Sequence, residues 1–293
     1  MDVREYLSYL SCELNRSDRT VGSYADDLYS FEKYFQSLDD GLTWESIDRD
    51  IVRGWLESMV DQGNSPATVA QRLSALKGFY KFALSRGMVA EDSVHGLKGP
   101  KRDKLLPQFL KESEMDKLLD SELWQNDFVG TRNRLILMIL YETGVRLSEL
   151  VGIDDDAVDL GGRKLKVTGK GNKQRIVPFG EELKNALSVY QMLRDNEVKC
   201  KDKALLVSSR GIRLSPASIR KLVGDNLTRV CSLKKKSPHV LRHTFATAML
   251  NHGADIESLK QLLGHSRLTT TEIYTHTTFE QLKSVYTKAH PRA

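Results

Sequence analysis

The stretch Gly96-Leu-Lys-Gly-Pro-Lys-Arg-Asp-Lys104, followed by Pro107, is where this chain is least able to continue a helix or strand. Proline removes a backbone donor, glycine loosens the chain, and the lysines and arginine repel one another, so the segment reads as a linker. It splits 293 residues into two parts, which agrees with roughly 150 residues per domain. The reading is a domain at 1–96, a linker at 97–107 and a second domain at 108–293.

Before the linker the periodicity is helical. Val21, Tyr24, Leu28, Phe31, Phe35 and Leu38 recur at spacings of three and four, an apolar stripe on one face. Asp2 and Glu5 read as a capping box for an earlier helix ending near Asn15. A third helix is expected over 48–62, with Ile51, Val52, Trp55, Leu56 and Met59 inward. The fourth is the best marked: Ser65 caps it, Pro66 takes its first position, and Val69, Leu73, Leu76 and Tyr80 extend the stripe. Its outer side offers Arg72, Lys77, Lys81 and Arg86.

After the linker, residues 131–143 read as a buried helix closed by Gly144. Residues 163–168 and 173–179 are β-like runs joined by Gly169-Lys170-Gly171-Asn172, a hairpin turn. From Ser215 the pattern is helical to the end. The fold class is therefore mainly α with a small antiparallel β-sheet: an all-helical first domain and an α+β second one. The last helix, opened by capping residues at 278–281, carries Phe279, Leu282, Val285 and Tyr286 on one side with little chain left to cover them. That stripe suggests packing on another subunit.

The longest strongly apolar run, residues 135–141, is far shorter than the ~20 needed to cross a bilayer. The start MDVREYLSYL lacks the basic opening and apolar run of a secretory signal. Cys12, Cys200 and Cys231 have neither disulfide nor zinc spacing. A soluble, reduced, cytoplasmic protein without a membrane partner is expected. The net charge of +5 is small, but its distribution is uneven. Residues 1–61 hold 6 Lys and Arg against 14 Asp and Glu, residues 62–107 hold 8 against 3, and the rest hold 30 against 22. One basic face turned to a polyanion and unrelated solvated helix faces account for this equally well.

The chemistry-bearing residues are individually bland. Arg146 sits between a helix-ending glycine and the next helix, where an arginine is ordinarily a structural ion pair. Lys170 at a hairpin tip is ordinarily solvated, and Gly169-Lys170-Gly171 lacks the Ser or Thr and the spacing of a nucleotide-binding loop. His239 and Arg242 share one side of a helix whose first turn favours an anion. His239, His243, His252 and His265 lie in one region, but no carboxylate completes a zinc pattern, so no metal is expected. Leu262-Leu-Gly-His265 closes a helix carrying Ile256, Leu259, Leu262 and Leu263. A capping box at 269–272 then opens a short helix bearing Tyr274, by default a core or interface aromatic.

The ordered set is more specific. Arg146, Lys170, His239-x-x-Arg242, His265 and Tyr274 follow in that order, Lys170 in the hairpin turn and the others in the phrases TGVRLSEL, HVLRH, LLGH and EIYTH. This resembles the tyrosine recombinase (lambda-integrase-type) family over essentially the whole chain, with a size and layout like its Xer-type members. The resemblance implies an N-terminal core-binding domain and a catalytic domain with a trans-docking last helix. It implies strand exchange through a 3′-phosphotyrosyl intermediate, with Tyr274 the nucleophile, Arg146 and Arg242 clamping the phosphate, and Lys170 protonating the leaving oxygen. His239 would assist deprotonation and His265 would orient the phosphate. No cofactor is implied, because the phosphotyrosine conserves the bond energy.

The implied partners are a double-stranded DNA site, a homo- or hetero-tetramer on two such sites, a second Xer-type recombinase and a DNA translocase. Arg72, Lys77, Lys81 and Arg86 are the DNA-binding candidates of the first domain, which with the second would close a C-shaped clamp. Rival readings are the integrase or invertase of a mobile element, a type IB topoisomerase, and a DNA-binding regulator without activity. The longer integrases carry an extra domain for which the sequence before the first helix leaves no room, and a regulator would be expected to have lost one of the six residues.

Overall fold

The computed structural model describes residues 1–101, 108–199, 202–264 and 276–293. Two compact units form, Met1–Leu105 and Leu106–Ala293.

The first unit is built from α1 (Val3–Cys12), α2 (Asp18–Leu38), α3 (Arg49–Asp61) and α4 (Pro66–Ser85). Each start is capped by a side chain accepting from the backbone: Asp2 from the Arg4 N–H, Ser17 from Thr20, Asp48 from Asp50 and Ile51, and Ser65 from Thr68. The core is strongly aromatic. Trp44 sits edge-on to Phe35 and Phe79 at 5.2 and 4.8 Å, Phe31 lies 4.7 Å from Trp55, and the Tyr80 hydroxyl donates to the Trp44 carbonyl at 2.8 Å. Val94 and Leu97 pack back onto this core beyond the last helix. Two expectations fail locally. Leu38, at the frayed end of α2, is 55% exposed, and α1 stops at Cys12 because Asn15 takes a left-handed turn at φ 46°.

The second unit is organised on α6 (Phe128–Thr143), preceded by α5 (Glu112–Leu119). Residues 135–143 of α6 are buried without a break, because α8 (Glu181–Glu197) packs on one side and α10 (Pro238–Asn251) on another. Between them in sequence come α7 (Leu147–Val151) and a three-stranded antiparallel sheet, β1 (Val158–Asp159), β2 (Lys164–Thr168) and β3 (Gln174–Pro178). The short β1 was not legible as a strand. Leu165 pairs with Val177 and Val167 with Arg175, so these four share the inward parity of the sheet. The turn between β2 and β3 is the expected one: Gly171 and Asn172 take positive φ of 73° and 59°, and the Gly169 N–H donates to the Lys173 carbonyl at 2.8 Å.

The remaining helices are α9 (Pro216–Val230), α11 (Ile256–Leu263) and α12 (His276–Ala289). The last of these starts earlier than the capping residues predict. It begins at His276 rather than at a cap near 278, and its apolar stripe is covered within the same chain. Leu282, Tyr286 and Ala289 pack with Phe245 and Met249 of α10 and with Leu259, Leu262 and Leu263 of α11, while Phe279 lies under Lys164. Ile256, expected on the buried side of α11, is 62% exposed because it is the first residue of the helix. Beyond α12, Arg292 pairs with both oxygens of Glu182 at 2.7 and 2.8 Å and with Asp116 at 2.9 Å, which ties down the last residues. No helix among the described residues is long and apolar enough to cross a membrane.

Candidate active site

Two helices end at one place with the same grammar. α6 closes on Gly144 at φ 59° and α11 on Gly264 at φ 65°, both left-handed caps that leave the final carbonyls unpaired within the helix. Such carbonyls carry the negative end of the helix dipole and attract cations. Arg242, projecting from α10, donates to the Gly144 carbonyl at 2.6 Å and to the Leu263 carbonyl at 2.7 Å. Its guanidinium is thereby aimed by two helix ends. Burial, then the neighbouring Arg146 and Arg175 charges, push its pKa down to about 10 against the pull of Glu149, so it remains charged at neutral pH.

Arg146 is the N-cap of α7, held by a reciprocal arrangement with Glu149. Its backbone N–H donates to Glu149 Oε2 at 2.7 Å and its Nη1 to Oε1 at 2.9 Å. Glu149 is buried, and it also receives a bidentate pair from Arg175: Nη1 to Oε1 at 2.7 Å and Nη2 to Oε2 at 2.9 Å. Burial pushes the Glu149 carboxyl up, but Arg175, backed by Arg146, outweighs that and holds it below the usual carboxylate range. Arg175 completes the arrangement by donating Nε to the Leu262 carbonyl at 3.0 Å. Packing is tight nearby: a Cβ on Gly169 would stand 3.2 Å from Glu149 Oε1, and one on Gly264, at positive φ, would stand 3.2 Å from Arg175 Cδ.

His239 lies in the first turn of α10, one turn before Arg242, and is exposed. Partial burial, then the positive fields of His243, Arg242, Arg146 and Arg220, lower its pKa, so the free imidazole is neutral at pH 7. The structure thus brings Arg146, His239 and Arg242 of the expected set into one electrostatic neighbourhood. The backbone of Lys170 is at the β2–β3 turn, while its side chain lies outside the described part. His265, Tyr274 and the capping box at 269–272 also lie outside the described residues. Among the described residues no group of His, Cys, Asp and Glu is placed to hold a metal ion.

Arg175 is a site residue that sequence reading missed. A signal was available: in KQRIVPF the residues Arg175, Val177 and Phe179 share one parity, so a charge occupies a position that alternation assigns to the core.

The candidates on α4 divide differently. Arg72 Nε faces the buried Asp27 at 3.6 Å, Lys77 Nζ donates to the Leu97 carbonyl at 2.5 Å, and Arg86 pairs with Glu13 at 2.9 Å on the surface. Lys81 is exposed and makes no hydrogen bond or ion pair among the described residues.

Comparison with known proteins gives the family. Residues 108–281 match the phage integrase family, and residues 3–87 match the phage integrase N-terminal SAM-like domain. The chain is 40% identical over 317 aligned positions to tyrosine recombinase XerC of Chlorobaculum parvum, covering 99% of this chain and 94% of that protein. It is 35% identical over 294 positions to tyrosine recombinase XerD of Oceanobacillus iheyensis, covering 99% and 98%. Its fold is similar to that of XerH site-specific recombinase bound to a palindromic difH substrate, with a TM-score of 0.73 at 23% identity over 96% of this chain and 82% of that one. With paired guanidiniums seated on helix ends and both domain matches in order, this chain belongs to the phage integrase family, as a tyrosine recombinase that cleaves and rejoins DNA.

Proposed function

We propose that the chain is a Xer-type site-specific recombinase that resolves chromosome dimers, acting through Tyr274. The observation that carries the chemistry is the arginine cluster: Arg146 and Arg175 bond one buried carboxylate, Glu149, and Arg242 lies in the same field, leaving net positive charge where a phosphodiester is to be held. In this reading Tyr274 Oη attacks phosphorus, its proton passes to His239, and the P–O bond to the 5′-oxygen breaks. Lys170 protonates that oxygen, and His265 hydrogen-bonds the phosphate. Negative charge grows on the non-bridging oxygens, and planar guanidiniums match them in a way that lysine does not. A phenol with an ordinary pKa of ~10 needs a base at pH 7, and a neutral His239 suits that role. Attack by the 5′-hydroxyl of a second strand reverses the step and releases Tyr274, so neither ATP nor a metal ion enters the balance.

Exchange needs two DNA sites and therefore four protomers, as a homo-tetramer or with a second Xer-type recombinase, under the control of a DNA translocase. In that assembly α12 leaves its own seat and docks on a neighbour. Arg72, Lys77, Lys81 and Arg86 would contribute phosphate contacts from the first unit, Lys81 with the least competition from its own chain.

The test uses a nicked duplex carrying a site selected by the intact chain from random-sequence DNA. A covalent protein–DNA adduct that survives denaturant is expected, and Tyr274→Phe should abolish it while duplex binding persists. An adduct with Tyr274→Phe would refute the nucleophile, and a strict Mg²⁺ requirement would refute the arginine clamp. Relaxation of supercoils on a single site without exchange would point to a type IB topoisomerase instead.

A further inference from the structure

We infer that Arg175 is a positioning residue of the reaction: by neutralising Glu149 it keeps the charge of Arg146 available to the scissile phosphate. The inference rests on the proposed phosphate chemistry of Arg146.

Among the described residues Glu149 is the one carboxylate hydrogen-bonded to Arg146, and it accepts from Arg146 twice, from the backbone and from Nη1. A carboxylate paired with a single guanidinium cancels that charge and competes with any phosphate for the same fork of donors. Arg175 changes the balance. Its bidentate pair occupies both oxygens at 2.7 and 2.9 Å, and its Nε is tied to the Leu262 carbonyl at 3.0 Å, so it cannot swing away. Both ends of its fork face Glu149 and its Nε faces the Leu262 carbonyl, so its donors are turned to the carboxylate rather than to the substrate. With Arg175 present, the cluster of Arg146, Arg175, Arg242 and Glu149 carries two net positive charges; without it, one. Each unit of charge is felt strongly in a partly buried site.

Arg175 also joins elements that must act together. It stands on β3 opposite Val167, on the hairpin that carries Lys170 at its turn, and bonds the last turn of α11, which leads toward His265. Two routes to the reaction are therefore open in principle, one through the charge of Arg146 and one through the placement of Lys170. The buried bidentate pair with the carboxylate that Arg146 shares favours the first.

Chemically modified duplexes of the selected site separate the routes. A methylphosphonate at the scissile position removes the non-bridging charge that the arginines neutralise. A 5′-bridging phosphorothiolate supplies a leaving group that needs no proton. Arg175→Met is expected to slow adduct formation on the ordinary phosphodiester by on the order of tenfold to a hundredfold. On the methylphosphonate the deficit should shrink to less than about threefold, and on the phosphorothiolate it should persist in full. Adding Glu149→Gln to Arg175→Met should recover at least part of the rate, because the unpaired carboxylate that captures Arg146 is gone. Arg175→Lys, which keeps the charge but not the fork, should fall between wild type and Arg175→Met.

An equal deficit on all three duplexes, with no recovery in the double variant, would make Arg175 merely structural and overturn the inference. Rescue by the phosphorothiolate alone would transfer the effect to Lys170 and overturn it equally. Should Arg175→Met fail to fold, the double variant, which removes the carboxylate that would be left without Arg175, and Arg175→Lys carry the same comparison. Failure of the wild-type chain to form any adduct would refute the proposed function itself, a result distinct from either.

Discussion

The seat of α12 contains two buried ionisable groups whose preferences oppose each other, and pH separates them. His290 stacks on Tyr286 at 5.1 Å and on Phe245 at 5.6 Å, and its Nδ1 accepts the Arg292 N–H at 3.1 Å. Burial, assisted by the charges of Arg292 and His252 and opposed by the Tyr141 backbone, lowers its pKa to about 3. Glu142, on α6, is fully buried, and among the described residues neither oxygen has a hydrogen-bond partner; burial and the nearby Glu182 raise its pKa well above the usual range, against Arg292 and Arg134. When α12 opens, both groups meet water and regain ordinary values. His290 is neutral when seated, so its contribution is complete above about pH 6.5 and is lost as pH falls. Glu142 is protonated when seated, so its contribution is complete below about pH 4.5 and is lost as pH rises.

Between these values the two slopes oppose each other in the native chain, and removing either group exposes the other. In Glu142→Gln the free energy of opening α12 should fall by about 1.4 kcal/mol between pH 7.5 and 5.5, the linkage expected of one histidine that cannot charge when seated. In His290→Phe it should rise over the same interval. Hydrogen exchange of the α12 amides, corrected for intrinsic rates and referenced to the double variant, measures both. Parallel slopes in the two single variants, or none in either, would refute a seat built on a neutral histidine and a protonated glutamate.

Gly144→Ala forces a left-handed alanine and places its Cβ 2.5 Å from Phe245 Cδ1, so a loss of about 2–4 kcal/mol is expected in urea unfolding. Gly63→Ala, also at positive φ but with open space around it, should cost only about 1 kcal/mol. Lys81→Ala should lower the slope of log affinity for DNA against log salt by about one without changing stability. Arg72→Ala should instead cost about 1–2 kcal/mol of stability, because Asp27 keeps its burial and loses its cation. In the free chain the His239 imidazole should titrate below 6.5 by NMR, and a midpoint above 6.5 would contradict the positive field assigned to the arginine cluster.

What could be read from the residues alone was what depends on near neighbours in the chain. Ser65-Pro66 starts a helix, Gly144 and Gly264 end two, and Gly171-Asn172 turns a hairpin, because each feature is decided by φ preferences and capping bonds within a few residues. The order of Arg146, His239 and Arg242, each in its local phrase, was legible for the same reason, as was the split into a helical part and an α+β part. Errors arose where burial depends on distant chain. Ile256 fits the stripe of α11 but opens the helix in solvent. Lys77 and Arg72 read as surface cations until the fold supplied the Leu97 carbonyl and Asp27 as partners.

The sequence by itself determined the helices, their ends, the hairpin and the chemical types available for catalysis. Only the tertiary structure decided what those residues meet. It brought the ends of α6 and α11, far apart in the chain, to a single guanidinium on α10, and it set Arg175 of β3 against Glu149 of α7. The physical reason lies in the range of the forces. Capping and turn preferences act over a few residues, whereas the energy of a buried charge depends on every group packed around it, and that packing exists only once the chain has folded.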